Sequence, residues 1–427
     1  MLMLMLNVIG RPRTSRTTAA RSPAASYRKY LAVHGDSFTK AEEAEHGGWI
    51  MVASILHTAA VVPGLEGERL VAQAAAFARD LLGAEAIQRG CALDPPSPAG
   101  ADRTVDVFRL LAERIEDAGA LDMAVGVLDD LAAACAMSDL EKWRVIAHHA
   151  RLDWKMGNLD AATHRYETLE RAGRLGNNAE MLVRAWNGFG ALAQLRGNFP
   201  DVRKWGRQAL DLAEQHAFGA LAAVARNGLM VAAALAADFD EALVHGWAMF
   251  RAAAGVTDAE AEALVNLGQL LMDAGHTSGA RSAFSCALVR NPPTRVGLPA
   301  GSGLVVASAR LGEIESARTL SQKICVEARA SGLPYQAAAA LLECASALAM
   351  IGDDHLASDL RREARRIAQE NGYHEIAFRA EADATAKRKP TSVSPRPLGP
   401  AAKIVAQSVI DLDPGMLPHV SFAATHA

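Results

Sequence analysis

Aromatic residues are scarce, at 5% of a chain whose hydrophobic fraction is 50%. Much of the apolar content is alanine, the strongest helix former, whose small side chain lets backbones approach closely. Such a mixture favours packed helices over sheets. Cysteine is sparse too: Cys91, Cys135, Cys286, Cys325 and Cys344 are widely spaced, with no Cys-x-x-Cys pair. That pattern points neither to a zinc site nor to a disulfide framework, and the thiols read as reduced and cytosolic.

No apolar run reaches the roughly 18 to 20 residues that a membrane-spanning helix needs. The opening MLMLMLNVIG places its apolar residues before the arginines, the reverse of a secretory signal. Catalytic signatures are missing as well. The sequence holds no Walker loop, no G-x-S-x-G elbow and no Cys/His nucleophile pair, and His374-Glu375 lacks the second histidine of a zincin.

Charge is uneven. The net value is −4, but residues 1–40 carry seven Lys/Arg against Asp36 alone, which leaves the remainder at −10. An acidic body argues against a nucleic-acid groove along it. Residues 11–29, rich in Arg, Ser, Thr and Ala and free of acid, have a composition shared by transit peptides and disordered extensions. Residues 1–38 are read here as a disordered basic arm.

What the chain does have is a repeat. Gly157-Asn-Leu-Asp-Ala-Ala162 has counterparts at Gly119, Gly197, Ala237, Gly275, Gly312 and Gly352, each followed five residues later by Ala124, Val202, Ala242, Ala280, Ala317 and Ala357. Successive anchors are 38, 40, 40, 38, 37 and 40 residues apart, a period that signifies a solenoid. The anchor glycine suits a left-handed helix end, and the small residue beyond it suits close helix packing. The predicted unit is therefore a helix-turn-helix hairpin.

The helix before each anchor carries an apolar stripe 11, 8, 7 and 4 residues upstream. In the first copy it is Phe108, Leu111, Ala112 and Ile115; in the third Trp186, Phe189, Gly190 and Ala193. The fifth has Leu264, Leu267, Gly268 and Leu271, and the seventh Leu341, Cys344, Ala345 and Leu348. Spacings of three and four put each set on one helical face. Ser138-Asp-Leu-Glu141 and Thr257-Asp-Ala-Glu260 read as capping boxes. Two substitutions break the pattern: Arg226 replaces a core aliphatic in the fourth copy, and Gly301 is expected to leave a gap in the sixth.

Ala261 to Thr294 resembles a complete tetratricopeptide unit. Leu264, Leu267, Gly268, Leu271, Gly275, Ala280, Phe284, Ala287 and Pro292 fall where that family places large, large, small, large, turn, small, aromatic, small and proline. The resemblance covers about residues 101–387, with copies about one helical turn longer than the usual unit, as in MalT-like and other bacterial regulator arrays. It implies an all-α, right-handed α-solenoid of about seven hairpins. Upstream, residues 39–92 read as a helical pair that caps the array, and 93–100 as a linker. The Pro-rich, basic stretch 387–427 reads as a disordered tail, and Lys387-Arg-Lys389 as a solvated charge run.

Other motifs yield to the repeat. Gly188-Phe-Gly-Ala-Leu-Ala193 matches G-x-G-x-x-A but lies in a helical pattern, with Gly190 on the repeat's small position, so it is read as packing. His148, His149, Asp153 and His164 match no standard ligand spacing. Neither metal nor cofactor is assigned.

In tetratricopeptide proteins the first helix of each hairpin lines the concave surface. The stripe expected to face it lies 13, 10, 6 and 3 residues before each anchor. The second copy gives Arg144, Ala147, Arg151 and Trp154; the third Arg184, Asn187, Ala191 and Gln194; the fourth Val224, Asn227, Val231 and Ala234. The fifth adds Glu262, Val265, Gln269 and Met272. The candidate binding residues are accordingly Arg144, Arg151, Trp154, Arg184, Asn187, Gln194, Asn227 and Gln269. The resemblance implies a non-catalytic, cytoplasmic scaffold binding a peptide or protein. Its arginines are expected to hold a carboxylate. Two alternatives are the sensor part of a transcriptional regulator without its DNA-binding domain, and an enzyme with a site in the groove. The reading includes no membrane and no direct nucleic-acid binding by the solenoid, and leaves homo-oligomer formation open.

Overall fold

The computed structural model describes residues 40–61, 65–83, 104–117, 120–255, 257–331, 333–385 and 395–412. Among these residues there are eighteen α-helices and no strand. Helices α1 (Lys40–Val61) and α2 (Leu65–Leu82) form the expected upstream pair. The seven copies follow as α3 (Thr104–Asp117) with α4 (Leu121–Ala134), α5 (Asp139–Lys155) with α6 (Leu159–Leu175), and α7 (Ala179–Leu195) with α8 (Phe199–Gln215). Next are α9 (Gly219–Leu235) with α10 (Phe239–Ala252), and α11 (Thr257–Asp273) with α12 (Thr277–Val289). The series ends with α13 (Thr294–Arg310) and α14 (Ile314–Ala330), then α15 (Pro334–Met350) and α16 (Asp354–Asn371). Two further helices are α17 (His374–Thr385) and α18 (Pro400–Asp411).

The predicted turn chemistry is present at every described anchor. Gly157, Gly197, Gly275, Gly312 and Gly352 all have φ between 69° and 85°, and Ala237 takes the same left-handed conformation at φ 59°. Each turn makes the same pair of backbone bonds. In the second copy Asn158 N–H donates to Asp153 C=O at 2.8 Å and Gly157 N–H to Trp154 C=O at 3.1 Å. This is a Schellman closure, which satisfies carbonyls that the helix end leaves open. Three turns that follow second helices use the same closure, with Asn177, Ala217 and Gly372 left-handed.

The chain divides into two units, one ending at Leu229 and the other beginning at Met230. In the first, α1 packs on α2 and α4, α2 on α3, and each later helix up to α8 on its successor. Phe108, Leu111, Ala112 and Ile115 are fully buried there. In the second, α10 to α17 pack in sequence, and the first helices α11, α13 and α15 also touch one another in turn. Leu264, Leu267, Leu271, Leu341, Cys344, Ala345 and Leu348 are all fully buried. Phe284 of the complete unit packs against Gly268 and Gly303, where a side chain would collide with its ring.

The Ser138 capping box forms as expected, with Glu141 N–H donating to Ser138 Oγ and Ser138 N–H to Glu141 Oε2. The Thr257 side chain lies outside the described residues, and Glu260 instead accepts from Gly255 N–H at 2.8 Å. The expected void at Gly301 is absent: Ile324 of α14 occupies that space, and a side chain at 301 would strike its Cδ1. Arg226 escapes the core by reaching Glu214.

The basic arm 1–38, the linker 93–100, Cys91 and Lys387-Arg-Lys389 lie outside the described residues. The expected disordered tail is corrected in part. Residues 395–399 have no regular secondary structure and 400–411 are helical, because Leu398, Ala402, Val405 and Val409 recur at helical spacing and are buried, with the helix packed on α10 and α12.

Candidate functional site

The inner stripe begins on α5, whose register is set by the Ser138 cap. Arg144 is 2% exposed and clamped to Glu180 of α7, Nε to Oε1 at 2.8 Å and Nη2 to Oε2 at 2.9 Å. Arg184, one turn along α7, donates to the same Glu180 Oε1 at 2.8 Å. Burial works against the Glu180 carboxylate, but the Arg144 hydrogen bond and the Arg184 charge prevail and hold its pKa below the usual value.

Arg151 reaches back to α3, donating to Glu116 Oε2 at 2.7 Å and to Glu113 Oε1 at 3.4 Å. Glu116 also receives Lys155 and the His148 ring nitrogen, the latter at 2.8 Å. Burial opposes its charge, yet the His148 hydrogen bond, Arg151 and Lys155 together push its pKa well below the carboxylate range. Burial, followed by the nearby Arg151 charge, lowers His148 against the pull of Glu116. Trp154 is 8% exposed and packs with Ala150, Ala162, Tyr166 and Leu192.

The three arginines expected to await a ligand carboxylate are therefore paired inside the protein. Their acids join α3 to α5 and α5 to α7, so the pairs tie successive first helices together. Removing one partner from the buried Arg144–Glu180 pair strands the other charge, whereas Arg151 is 40% exposed. Glu113, Glu116 and Glu180, the ion-pair partners of these arginines, are not among the candidate residues.

The amides behave differently. Asn187 Nδ2 donates to Leu221 C=O of α9 at 3.0 Å, while its Oδ1 is buried with no hydrogen-bond partner. Gln194 and Asn227 are half-buried on α7 and α9. Gln269 belongs to the second unit and donates to Asp273 at 3.0 Å within α11. Seven of the eight candidates belong to the first unit, where Arg144 and Arg184 meet at Glu180, and Gln269 belongs to the second.

On the other side of α7, Phe189 and Trp205 line a shallow cleft of about 320 Å³ with Arg196 and Asp201 at its edge. Their rings lie 5.1 Å apart, and Lys204 Nζ sits 4.3 Å above Trp205. Gly188 faces Tyr166 at a distance that admits no side chain, so the glycine motif serves packing. His149 lies 3.4 Å from Asp129, and Asp153 accepts from Arg165 at 2.7 Å. Among the described residues no three His, Cys, Asp or Glu converge as metal ligands, and no helix is long and apolar enough to cross a membrane.

No family model and no curated protein matches the chain. Among solved structures it is similar to a signal transduction ATPase with numerous domains, carrying a tetratricopeptide repeat sensor, from Pyrococcus horikoshii. That likeness has a TM-score of 0.50 at 12% identity, over 74% of this chain and 55% of the other, so this chain spans about half the length of that protein. A Rap protein complexed with competence and sporulation factor aligns over 88% of this chain and 100% of its own, at 12% identity and a TM-score of 0.43. The second score is too low to establish a common fold. Together with the turn geometry and hairpin packing, the first likeness gives the chain a tetratricopeptide-like, all-α helical-repeat fold.

Proposed function

We propose that this chain is a non-catalytic scaffold that binds a peptide or protein through the amides on α7 and α9. The observation that carries this reading is the state of Asn187. Its Nδ2 is held by Leu221 C=O while its Oδ1, buried, has no donor. An unsatisfied acceptor of this kind costs about 1 to 3 kcal/mol, which a ligand N–H relieves once the amide turns toward it. Asn227 has the same offset from its own anchor, 40 residues on. Two such amides can each donate to and accept from an extended peptide backbone.

The arginines take no part in this version of the site. Arg144 and Arg184 share Glu180, and Arg151 shares Glu116, so substituting them perturbs helix packing before it perturbs any ligand. The scaffold is assigned no preference for a C-terminal carboxylate.

The test starts with affinity capture on the full chain and identification of the bound species. Titration calorimetry then compares wild type with Asn187→Ala/Asn227→Ala, with circular dichroism to verify folding. The double variant is expected to lose about 1 to 3 kcal/mol of binding free energy, the cost of amides left unpaired. Equal affinity in a folded double variant removes the site from this stripe.

A further inference from the structure

The second unit already holds a peptide-like segment: its own residues 395–412. We propose that the surface made by α10, α12 and the turn preceding α12 is a second recognition site. Its occupant is a partner segment with an Arg-x-Leu-Gly-Pro lead and a following amphipathic helix, and this chain's tail fills it in cis. The site lies on second helices of the hairpins, apart from the amides on α7 and α9.

The contacts read the lead residue by residue. Arg396 N–H donates to Ala274 C=O at 2.9 Å, and His276 Nε2–H donates back to Arg396 C=O at 2.9 Å. Arg396 is thus held through both its backbone groups, one by a turn carbonyl and one by a side chain. The Arg396 guanidinium carbon lies 5.0 Å from the centre of the Phe239 ring, within cation–π range. Leu398 is buried among the apolar residues of the unit. Gly399 N–H donates to Asp240 Oδ1 at 2.8 Å, and a Cβ there would stand only 2.8 Å from Asp240 Oδ2. A side chain at 399 has to push the Asp240 carboxylate aside and loosen this hydrogen bond.

Pro400 then opens α18, a position where its missing N–H costs nothing. Ala402, Val405 and Val409 lie against α10 and α12, whereas Ile404 points outward at 67% exposure. At the far end Cys286 Sγ lies 3.1 Å from Leu412 C=O, closing the helix against α12. The segment is bound at both ends and along one face, with a sequence-dependent contact at its centre. Because the segment is tethered, a free competitor faces an effective concentration in the millimolar range for a short linker. A partner displaces it only if its contacts are better or the tail is weakened.

The experiment uses the full chain and a fluorescent peptide of residues 395–412, read by anisotropy. In Val405→Asp/Val409→Asp the cis segment loses its apolar face, and the peptide is expected to bind at least 10-fold more tightly than to wild type. The same peptide carrying Leu398→Asp is expected to bind that variant at least 10-fold more weakly. Hydrogen exchange should show protection lost in residues 400–411 and kept in α13 to α16. If the variant keeps that protection yet binds the peptide no better than wild type, the proposal is overturned. Equal binding of the Leu398→Asp peptide also overturns it, since burial of Leu398 anchors the lead. Should the variant lose protection everywhere, Leu398→Ala in the full chain is the second route, since it weakens the cis segment alone; tighter binding of the wild-type peptide than to the unmodified chain supports the site, and unchanged binding refutes it. Concentration-dependent dimerisation without peptide binding places a second copy's tail there and overturns the partner segment. The Asn187→Ala/Asn227→Ala variant is expected to leave all these readouts unchanged, which separates this site from the one on α7 and α9.

Discussion

At the scale of single residues, the anchor position shows how much chemistry a letter conceals. Ala237 holds a left-handed backbone at φ 59° where five other described anchors use glycine. A non-glycine residue there costs roughly 1 to 2 kcal/mol. Glycine removes that strain but adds unfolded-chain entropy of about 0.4 to 1 kcal/mol. Ala237→Gly is therefore expected to stabilise the protein by about 0.5 to 1 kcal/mol, and Gly275→Ala to destabilise it by a similar amount. Urea unfolding of the two variants checks both signs, and a destabilised Ala237→Gly would contradict the strain argument.

The same scale explains the arginines. The stripe offsets are applied to the second through fifth copies, but in the first copy they select Asp106, Arg109, Glu113 and Glu116. Glu113 and Arg151 share one offset, 38 residues apart, and they pair in the structure. Read across copies, that one position places opposite charges on successive first helices. Glu180 could have been recognised too, four residues before Arg184 on the same helix. The left-handed residues between copies, Asn177, Ala217, Gly255, Asn291 and Gly372, were not legible because no one residue type marks them.

Among elements, the helices and their hairpin pairing were readable because spacing constrains faces, as the fully buried Leu264, Leu267 and Leu271 demonstrate. Helix α18 was missed for a physical reason. Its apolar period spans only Leu398 to Val409 and starts inside a proline-rich stretch, so composition suggested disorder where four buried contacts suffice for order. The packing of α4, α5 and α6 adds a property that no motif announces. His149 is buried among them, beside Asp129 of α4 and near Arg165 of α6. Burial first, then Arg165 and His148, depress its pKa to about 3.

In the unfolded chain histidine titrates near its ordinary value of about 6.5. Between pH 6.5 and about 3 the unfolded state therefore binds a proton that the folded state refuses. Stability is fully present above pH 6.5 and falls as the pH drops, by about 2 kcal/mol between pH 7 and 5 for this one histidine. His148 acts in the same sense, and Glu116 adds to the loss only below the ordinary carboxylate range. Urea unfolding at pH 7 and 5 is expected to show His149→Gln losing about 2 kcal/mol less than wild type over that interval. An identical loss in both proteins would show that His149 is not held neutral.

For the whole molecule, the consequence of repetition is that, α18 apart, helices pack on near neighbours in sequence. Leu267 and Leu341 are both fully buried in the second unit, and truncating either to alanine costs about 2 to 5 kcal/mol. The reach of the damage should differ. Leu267 on α11 sits between neighbouring hairpins, whereas Leu341 on α15 is followed only by α16 and α17 in the packing order. Hydrogen exchange is expected to show wide loss of protection for Leu267→Ala and loss centred on α15 to α17 for Leu341→Ala. Equal, global loss from both would mean that this unit behaves as one cooperative block.

The Schellman closures have a further consequence, for how such a gene can change length. Asn177 and Ala217 hold the same backbone conformation and precede the same bond, Asn178 N–H to Gly173 C=O and Phe218 N–H to Ala213 C=O. An in-frame excision of residues 178–217 joins one turn to an equivalent turn and deletes one whole hairpin with its register intact. Loss or gain of a single codon inside α7 or α8 instead rotates every later side chain of that helix by about 100° and turns its buried stripe toward water. Recombination in blocks of about 40 codons is thus the tolerated mode of variation for this architecture.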